Sequence, residues 1–407
     1  MGAVTVVVLG ATSYTPYAGV AWQTAHYLEG LTRLGYDVYY VEDHGYWPFD
    51  PYTQAHSSDC SGAVRFISEL MARLGMAQRW AYRDIASGGR VFGMPEARFE
   101  DLLRSADVLI NLTCSTELRD DHLRVPIRLY LETDPVLAQI QIAEGDPRTL
   151  EMMRAHTHHA SYGENLGAAD CGVPLGPFRY LPTRQPVILD WWEVTEPGPG
   201  ARYTTVSSWE QAFKDVEYKG ERYGWSKSEE FLKVLDLPSI APRGLEIALA
   251  SRDPHVLALL RGHGWSVLDA GEVSSDLDRY REYVGASFGE FTVAKDQNVR
   301  LRSGWFSDRS ACYLASGRPV ITQDTGFGNF LPTGEGLFAF GDRDEALAAM
   351  EEIEAEPARH RAAARGVAAQ CFRAEIVLER LMSDLRSVPV SGGETEAIGG
   401  TEDRSLS

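Results

Sequence analysis

The sequence predicts an α/β protein: two consecutive doubly wound units that face each other across a cleft. Three observations carry this expectation. At 407 residues the chain exceeds one ordinary domain. Strand-like and helix-like segments alternate in two successive series, the pattern of parallel sheets with right-handed crossover helices. Between the series, Pro174, Pro177, Pro182, Pro186, Pro197 and Pro199 crowd one stretch, which reads as the crossing from one unit to the next.

Each element follows from its local pattern. Val4–Gly10 (VTVVVLG) is a continuous β-branched run, as expected of a strand buried on both faces. Val20–Leu34 has apolar residues at helical spacing, and Gly35 stands where a helix-ending glycine belongs. Tyr36–Asp43 is the second strand. Helices are expected over Gly62–Ala81 and Glu96–Arg104, then strands over Asp107–Thr113 and Ile127–Asp134. Pro147–Arg154 reads as a helix and His156–Tyr162 as a short strand. In the second series the strands are Tyr203–Ser207, Gly244–Ala250, Trp265–Asp269, Glu290–Ala294, Pro319–Gln323 and Gly336–Phe340. Helices fall over Ser226–Leu235, His255–His263, Leu277–Tyr283 and Ser307–Ser316, and two more over Asp344–Ala355 and Pro357 to about Leu385. The remainder, Ser387–Ser407, is rich in Gly, Ser and Glu and lacks aromatics, a composition expected to stay disordered.

Composition excludes several classes. Lys+Arg 39 against Asp+Glu 58 leaves a net charge of −19, which argues against nucleic-acid or anionic-lipid partners. No apolar run is long enough to span a bilayer, and the N-terminus opens into a strand without a leader pattern. Five cysteines, odd in number and far apart, form no disulfide framework and no zinc pair, so a reducing, cytoplasmic compartment is expected.

Ligands of doubly wound sheets bind outside the C-terminal strand ends. The segment Glu290–Phe340 is the richest there. Its helix opening near Ser307 or Asp308 presents free amides and a positive dipole end, which suits a diphosphate. Lys295, Arg300, Arg302 and Arg309 make a local basic cluster in an acidic chain; the alternative is that they pair with neighbours such as Asp296 and Asp308.

This segment resembles the donor-binding half of GT-B glycosyltransferases, the group whose C-domain reads strand, E-G-F-G, helix, A-x-G-x-P-V, glycine loop. Phe306-Ser307 aligns with F-G, Ala315–Val320 with A-x-G-x-P-V, and Asp324-Thr325-Gly326-Phe327-Gly328 with the donor-sugar loop. Gly334-Glu335-Gly336-Leu337 leads into the next strand in the same way. Tyr17-Ala18-Gly19 through Leu34–Val38 is similar to the acceptor-side loop and helix of those enzymes, and Lys219 and Lys227 stand at their phosphate-gripping element. The resemblance implies two Rossmann-like domains: residues 1–185 for the acceptor and 186–365 for the donor. Residues 366–386 would be a helix returning to the first domain, ahead of a tail over 387–407. It further implies a UDP- or dTDP-sugar donor, a small-molecule or glycan acceptor, and no metal or other cofactor. Lys227, Lys295, Arg300, Arg302, Ser307, Asp308, Arg309, Ser310 and the loop Asp324–Gly328 would hold the donor.

The chain also departs from that pattern. The two glutamates of the retaining enzymes fall at Gly304 and Cys312, with Asp308 one turn before Cys312 as a stand-in or a cap. Ser207-Ser208-Trp209 replaces the expected arginine element. Inversion and retention both stay open. A non-catalytic nucleotide-sugar binder, an isomerase and a phosphorylase are the alternatives.

Inversion needs a general base at a strand end of the first domain. Asp134, Glu132 and Asp43 qualify, and so does His159 in His156-x-His158-His159. No carboxylate completes that histidine run at ligand spacing, and adjacent histidines on a strand face opposite sides, so zinc is not expected. Tyr14, Tyr17, Gly19 and Trp22 form an acceptor-side loop, its aromatic faces suited to sugar rings or flat aglycones.

Overall fold

The computed structural model of the chain describes residues 2–50 and 55–387. Its frame is two sheets. The first orders its strands Tyr180–Pro182, His158–Ser161, Ile127–Glu132, Val108–Leu112, Thr5–Leu9, Asp37–Glu42, Trp80–Asp84 and Arg90–Gly93. Only the last pairing is antiparallel. The second runs Ser266–Asp269, Leu245–Ala250, Tyr203–Ser208, Gly289–Thr292, Val320–Gln323 and Leu337–Phe340, all parallel.

The first strand shows why its sequence is unbroken in hydrophobicity. Val6 and Val8 enter one core with Tyr27, Leu28 and Leu31 of the helix Ala18–Arg33. Val7 and Leu9 enter a second core on the opposite face, with Phe99, Leu102 and Leu103 of the helix Glu96–Ser105. A third core fills one side of the second sheet, around Tyr203, Phe231, Phe291 and Phe340.

The chain crosses between the units twice, at adjacent points. Val187 N donates to Phe372 O at 2.7 Å and Ala374 N donates to Val187 O at 3.0 Å. From there the helix Ala374–Ser387 returns to the first unit and packs on the helix Ala18–Arg33. Gly30 makes that close crossing possible: a Cβ there would lie 2.5 Å from Leu378 Cδ1.

Several expectations need correction. The helix read over Gly62–Ala81 is Ser61–Arg73. Gly75, in left-handed backbone (φ 69°), turns the chain, and Trp80–Asp84 joins the sheet instead. The strands Arg90–Gly93 and Tyr180–Pro182 and the short helices Leu137–Ala143 and Asp296–Arg300 were not expected. The tail expected over 387–407 lies outside the described residues except Ser387, which ends the last helix. No helix among the described residues is long and apolar enough to cross a membrane.

Candidate active site

Strand order reverses between Thr5–Leu9 and Val108–Leu112 in the first sheet, and between Tyr203–Ser208 and Gly289–Thr292 in the second. Crevices open at such reversals. The helix Asp308–Ala315 starts at the second one, with Ser307 at its N-cap. The Ser307 side chain makes no capping bond. Ser310 Oγ, in the first turn, is buried without a partner among the described residues. Burial raises the Asp308 carboxyl; Arg309 opposes that rise and Asp134 adds to it.

Arg309 is not free for a ligand. Its guanidinium pairs with buried Glu290 and donates to Val206 O at 2.7 Å and Thr292 Oγ1 at 2.9 Å, so it ties the two strands of the reversal together. Arg300 is exposed and committed to Glu221 and Arg222 O. Arg302 pairs with Asp324 at 2.7 Å and with Asp170 of the first unit at 3.0 Å. For these three arginines the pairing alternative fits the geometry better than the expected phosphate role.

The two lysines differ from the arginines. Lys227 is 7% exposed, and its ammonium has no hydrogen bond or ion pair among the described residues. Its one aromatic contact among the described residues is the Trp305 ring, 5.9 Å away. Burial pushes its pKa well down, and neighbouring Arg309 and Lys295 push it further. Lys295 is also buried; its ammonium sits 3.5 Å from the Trp225 ring centroid and donates to Asp134 Oδ1 of the first unit at 2.6 Å. Trp225 and Trp305 were not singled out from sequence, although Gly304-Trp305-Phe306 sits inside the matched segment.

The glycine loop serves the closure between the units. Asp324 Oδ1 accepts from Gly326 N at 2.8 Å, and Thr325 Oγ1 donates to Trp305 O at 2.6 Å. Phe327 is buried against Phe306, while Gly328 is exposed. Asn165 of the first unit reaches across: its amide donates to Arg302 O at 2.8 Å and its backbone N to Ser303 O at 3.2 Å. This contact accounts for the glycine at 304. A Cβ there would lie 2.4 Å from Asn165 N, so the place of the first expected glutamate has no room for any side chain.

Of the four expected bases, three are committed elsewhere. Asp43 is fully buried among Arg83, Arg119 and His122. Burial alone would raise it, but bonds from His122 and Arg83 hold it below the usual carboxylate range. His159 packs among Tyr130, Phe178 and Tyr180, with Nε2 at 2.9 Å from Met153 O; burial lowers it to about 4. Glu132 is 4% exposed and accepts from Gln139 Nε2 at 2.7 Å and Ser161 Oγ at 2.8 Å. Burial raises its carboxyl to about 7. Asp134 alone reaches the opposite unit, with its side chain 41% exposed.

The acceptor-side residues separate as well. Trp22 is buried; it stacks on His26, packs at a tilt against Trp191 and Trp192 and donates Nε1 to Leu277 O at 3.1 Å, so it joins the two units and lines only the small void beside Gly19. Gly19 and Asp308 meet around a void of only about 10 Å³. Beside them a groove of about 1330 Å³ opens between the units, and Tyr17 and Phe49 line it opposite Arg252 and Asp269. Tyr14 lies nearby, stacked on His56 at 4.8 Å. Glu42, not chosen as a site residue, holds this loop: its buried carboxylate accepts from Ser13 N at 3.1 Å and from the Thr12, Ser13 and Tyr40 hydroxyls.

No protein-family model matches the chain, and no curated protein matches it. Solved structures do. A sucrose-phosphate synthase from Thermosynechococcus elongatus is 13% identical with a TM-score of 0.55, covering 94% of this chain and 98% of its own. HepE from Anabaena, solved with UDP and glucose, is 9% identical at TM-score 0.54, covering 95% and 100%. AviGT4, a glycosyltransferase of avilamycin A biosynthesis, is 12% identical at TM-score 0.52, covering 94% and 97%. The fold is therefore GT-B, two Rossmann-like domains across a cleft.

Proposed function

We propose that the chain is a cytoplasmic glycosyltransferase. It moves a sugar from a nucleoside diphosphate sugar, UDP- or dTDP-linked, to a small-molecule or glycan acceptor. One observation carries this reading: the ammonium of buried Lys227, without a hydrogen-bond or ion-pair partner among the described residues, beside Lys295 and close to Arg309 in the first turn of the helix Asp308–Ala315. A buried cation without an anion is costly to fold around, and a diphosphate supplies the missing charge.

In this reading, Lys227, Lys295 and the amides after Ser307 hold the leaving diphosphate, stabilising the charge that develops as the glycosidic bond breaks. Asp134, the expected base that reaches the facing unit, orients the acceptor hydroxyl or takes its proton. The groove beside Tyr17 admits the acceptor. The lysines supply positive charge where other transferases use a cation, so transfer is expected to persist in chelator. The test is release or transfer of sugar from a panel of nucleotide sugars, with and without chelator. Turnover of a UDP- or dTDP-sugar supports the proposal. Binding of UDP or dTDP without turnover on any acceptor, or with water, would make the chain a binding protein.

A further inference from the structure

Lys295 is the point where the expected donor site and the closure between the domains meet. Its ammonium donates to Asp134 Oδ1 at 2.6 Å across the domain boundary. The neighbouring cross-domain bonds on this side leave the lysines alone: Trp305 Nε1 to Thr133 O at 2.9 Å, Asn165 to Arg302 O, and Arg302 to Asp170. Among the described residues, Asp134 is thus the carboxylate of the first unit paired with a buried lysine of the cleft, while Asp170 pairs with Arg302. Glu290, the other acid close to Lys227, is already paired with Arg309.

Resting on the function proposed above, we propose that Asp134 and the donor's diphosphate are alternative partners of Lys295. Asp134 is then a built-in competitor that lowers donor affinity and clasps the two domains together. An ammonium has three protons, so it can touch both anions, but a carboxylate and a diphosphate on the same cation repel each other. Donor binding therefore draws Lys295 away from Asp134 and loosens one clasp of the interface. The same exchange leaves the Asp134 carboxylate unpaired only when a donor is in place.

The experiment is calorimetric titration of the whole protein with UDP, and with uridine as a control lacking phosphates. Wild type, Asp134→Asn, Lys295→Gln and the double variant are compared, with Asp134→Ser as a second neutral replacement should the asparagine variant not fold. Neutralising Asp134 is expected to tighten UDP by roughly two- to fivefold, the scale of a partly exposed ion pair, and to leave uridine unchanged. In the Lys295→Gln background the same substitution is expected to change UDP affinity by less than about twofold, because the shared partner is gone. UDP binding that is unchanged or weaker in a folded Asp134 variant overturns the competition, as does equal tightening in both backgrounds. If wild type binds neither UDP nor dTDP, the donor reading itself falls, and the competition falls with it.

Discussion

Replacing Lys227 with methionine tests the charge logic of the cleft from two sides. Lys227 is 7% exposed, its ammonium has no hydrogen-bond or ion-pair partner among the described residues, and the cations Arg309 and Lys295 lie close by, opposed by Glu290 and Asp134. Removing an ion from water costs several kcal/mol even after the protein relaxes. The Trp305 ring at 5.9 Å recovers only about 0.5–1 kcal/mol of that. Methionine keeps the unbranched stem and its packing while removing the charge. Lys227→Met is therefore expected to stabilise the protein by about 1–3 kcal/mol in urea unfolding without ligand. The same change removes a charge-assisted bond to phosphate, so UDP binding should weaken by about 1.5–3 kcal/mol, roughly 10- to 150-fold, with uridine little affected. Unfolding midpoints and calorimetric titrations measure both quantities on one preparation. A variant that is less stable than wild type and binds UDP within about twofold of it would refute the reasoning, since Lys227 would then be a packing residue.

Two other predictions probe the scaffold. Burial holds the Glu132 carboxyl near 7, above its ordinary 4.5, so between those values the folded protein keeps a proton that the unfolded chain has lost. Its stabilising contribution is full below about pH 4.5 and disappears as pH rises through 7. Glu132→Gln should therefore gain about 3 kcal/mol relative to wild type between pH 5 and pH 8, and parallel urea curves at the two pH values would contradict this. Gly304→Ala introduces a Cβ 2.4 Å from Asn165 N at a residue with φ 79°. It should destabilise the protein by about 1–3 kcal/mol and lower turnover more than tenfold, read by thermal unfolding and a donor assay; wild-type behaviour would show that the two loops separate readily.

Much of the frame was legible because both faces of the central strands are buried. That makes runs such as Val4–Gly10 unbroken and leaves the periodicity change to the helices clear. The failure at Gly62–Ala81 has a local cause. Apolar residues continue past Arg73 at helical spacing, and the signal that ends the helix is a single glycine, Gly75, whose φ of 69° no pattern of hydrophobicity reports. In the site, sequence could collect cations but not their partners. Arg300 and Arg309 are neutralised by Glu221 and Glu290, and Arg302 by Asp170 and Asp324. All but Asp324 and Glu290 come from distant segments. Trp22 misled for a related reason: an aromatic near a strand end looks like a binding platform, but here a second unit covers it with Trp191, Trp192 and the carbonyl of Leu277. Gly304 was readable only as a missing glutamate. Its physical reason, Asn165 pressed against the backbone, belongs to a segment 139 positions away.

The most direct test of the donor assignment is a crystal structure of the protein with UDP. The account predicts the diphosphate at the start of the helix Asp308–Ala315, within about 3.2 Å of the Lys227 or Lys295 ammonium, with Lys295 turned from Asp134 toward it. A diphosphate bound elsewhere, with Lys227 still unpartnered and Lys295 still on Asp134, would contradict it.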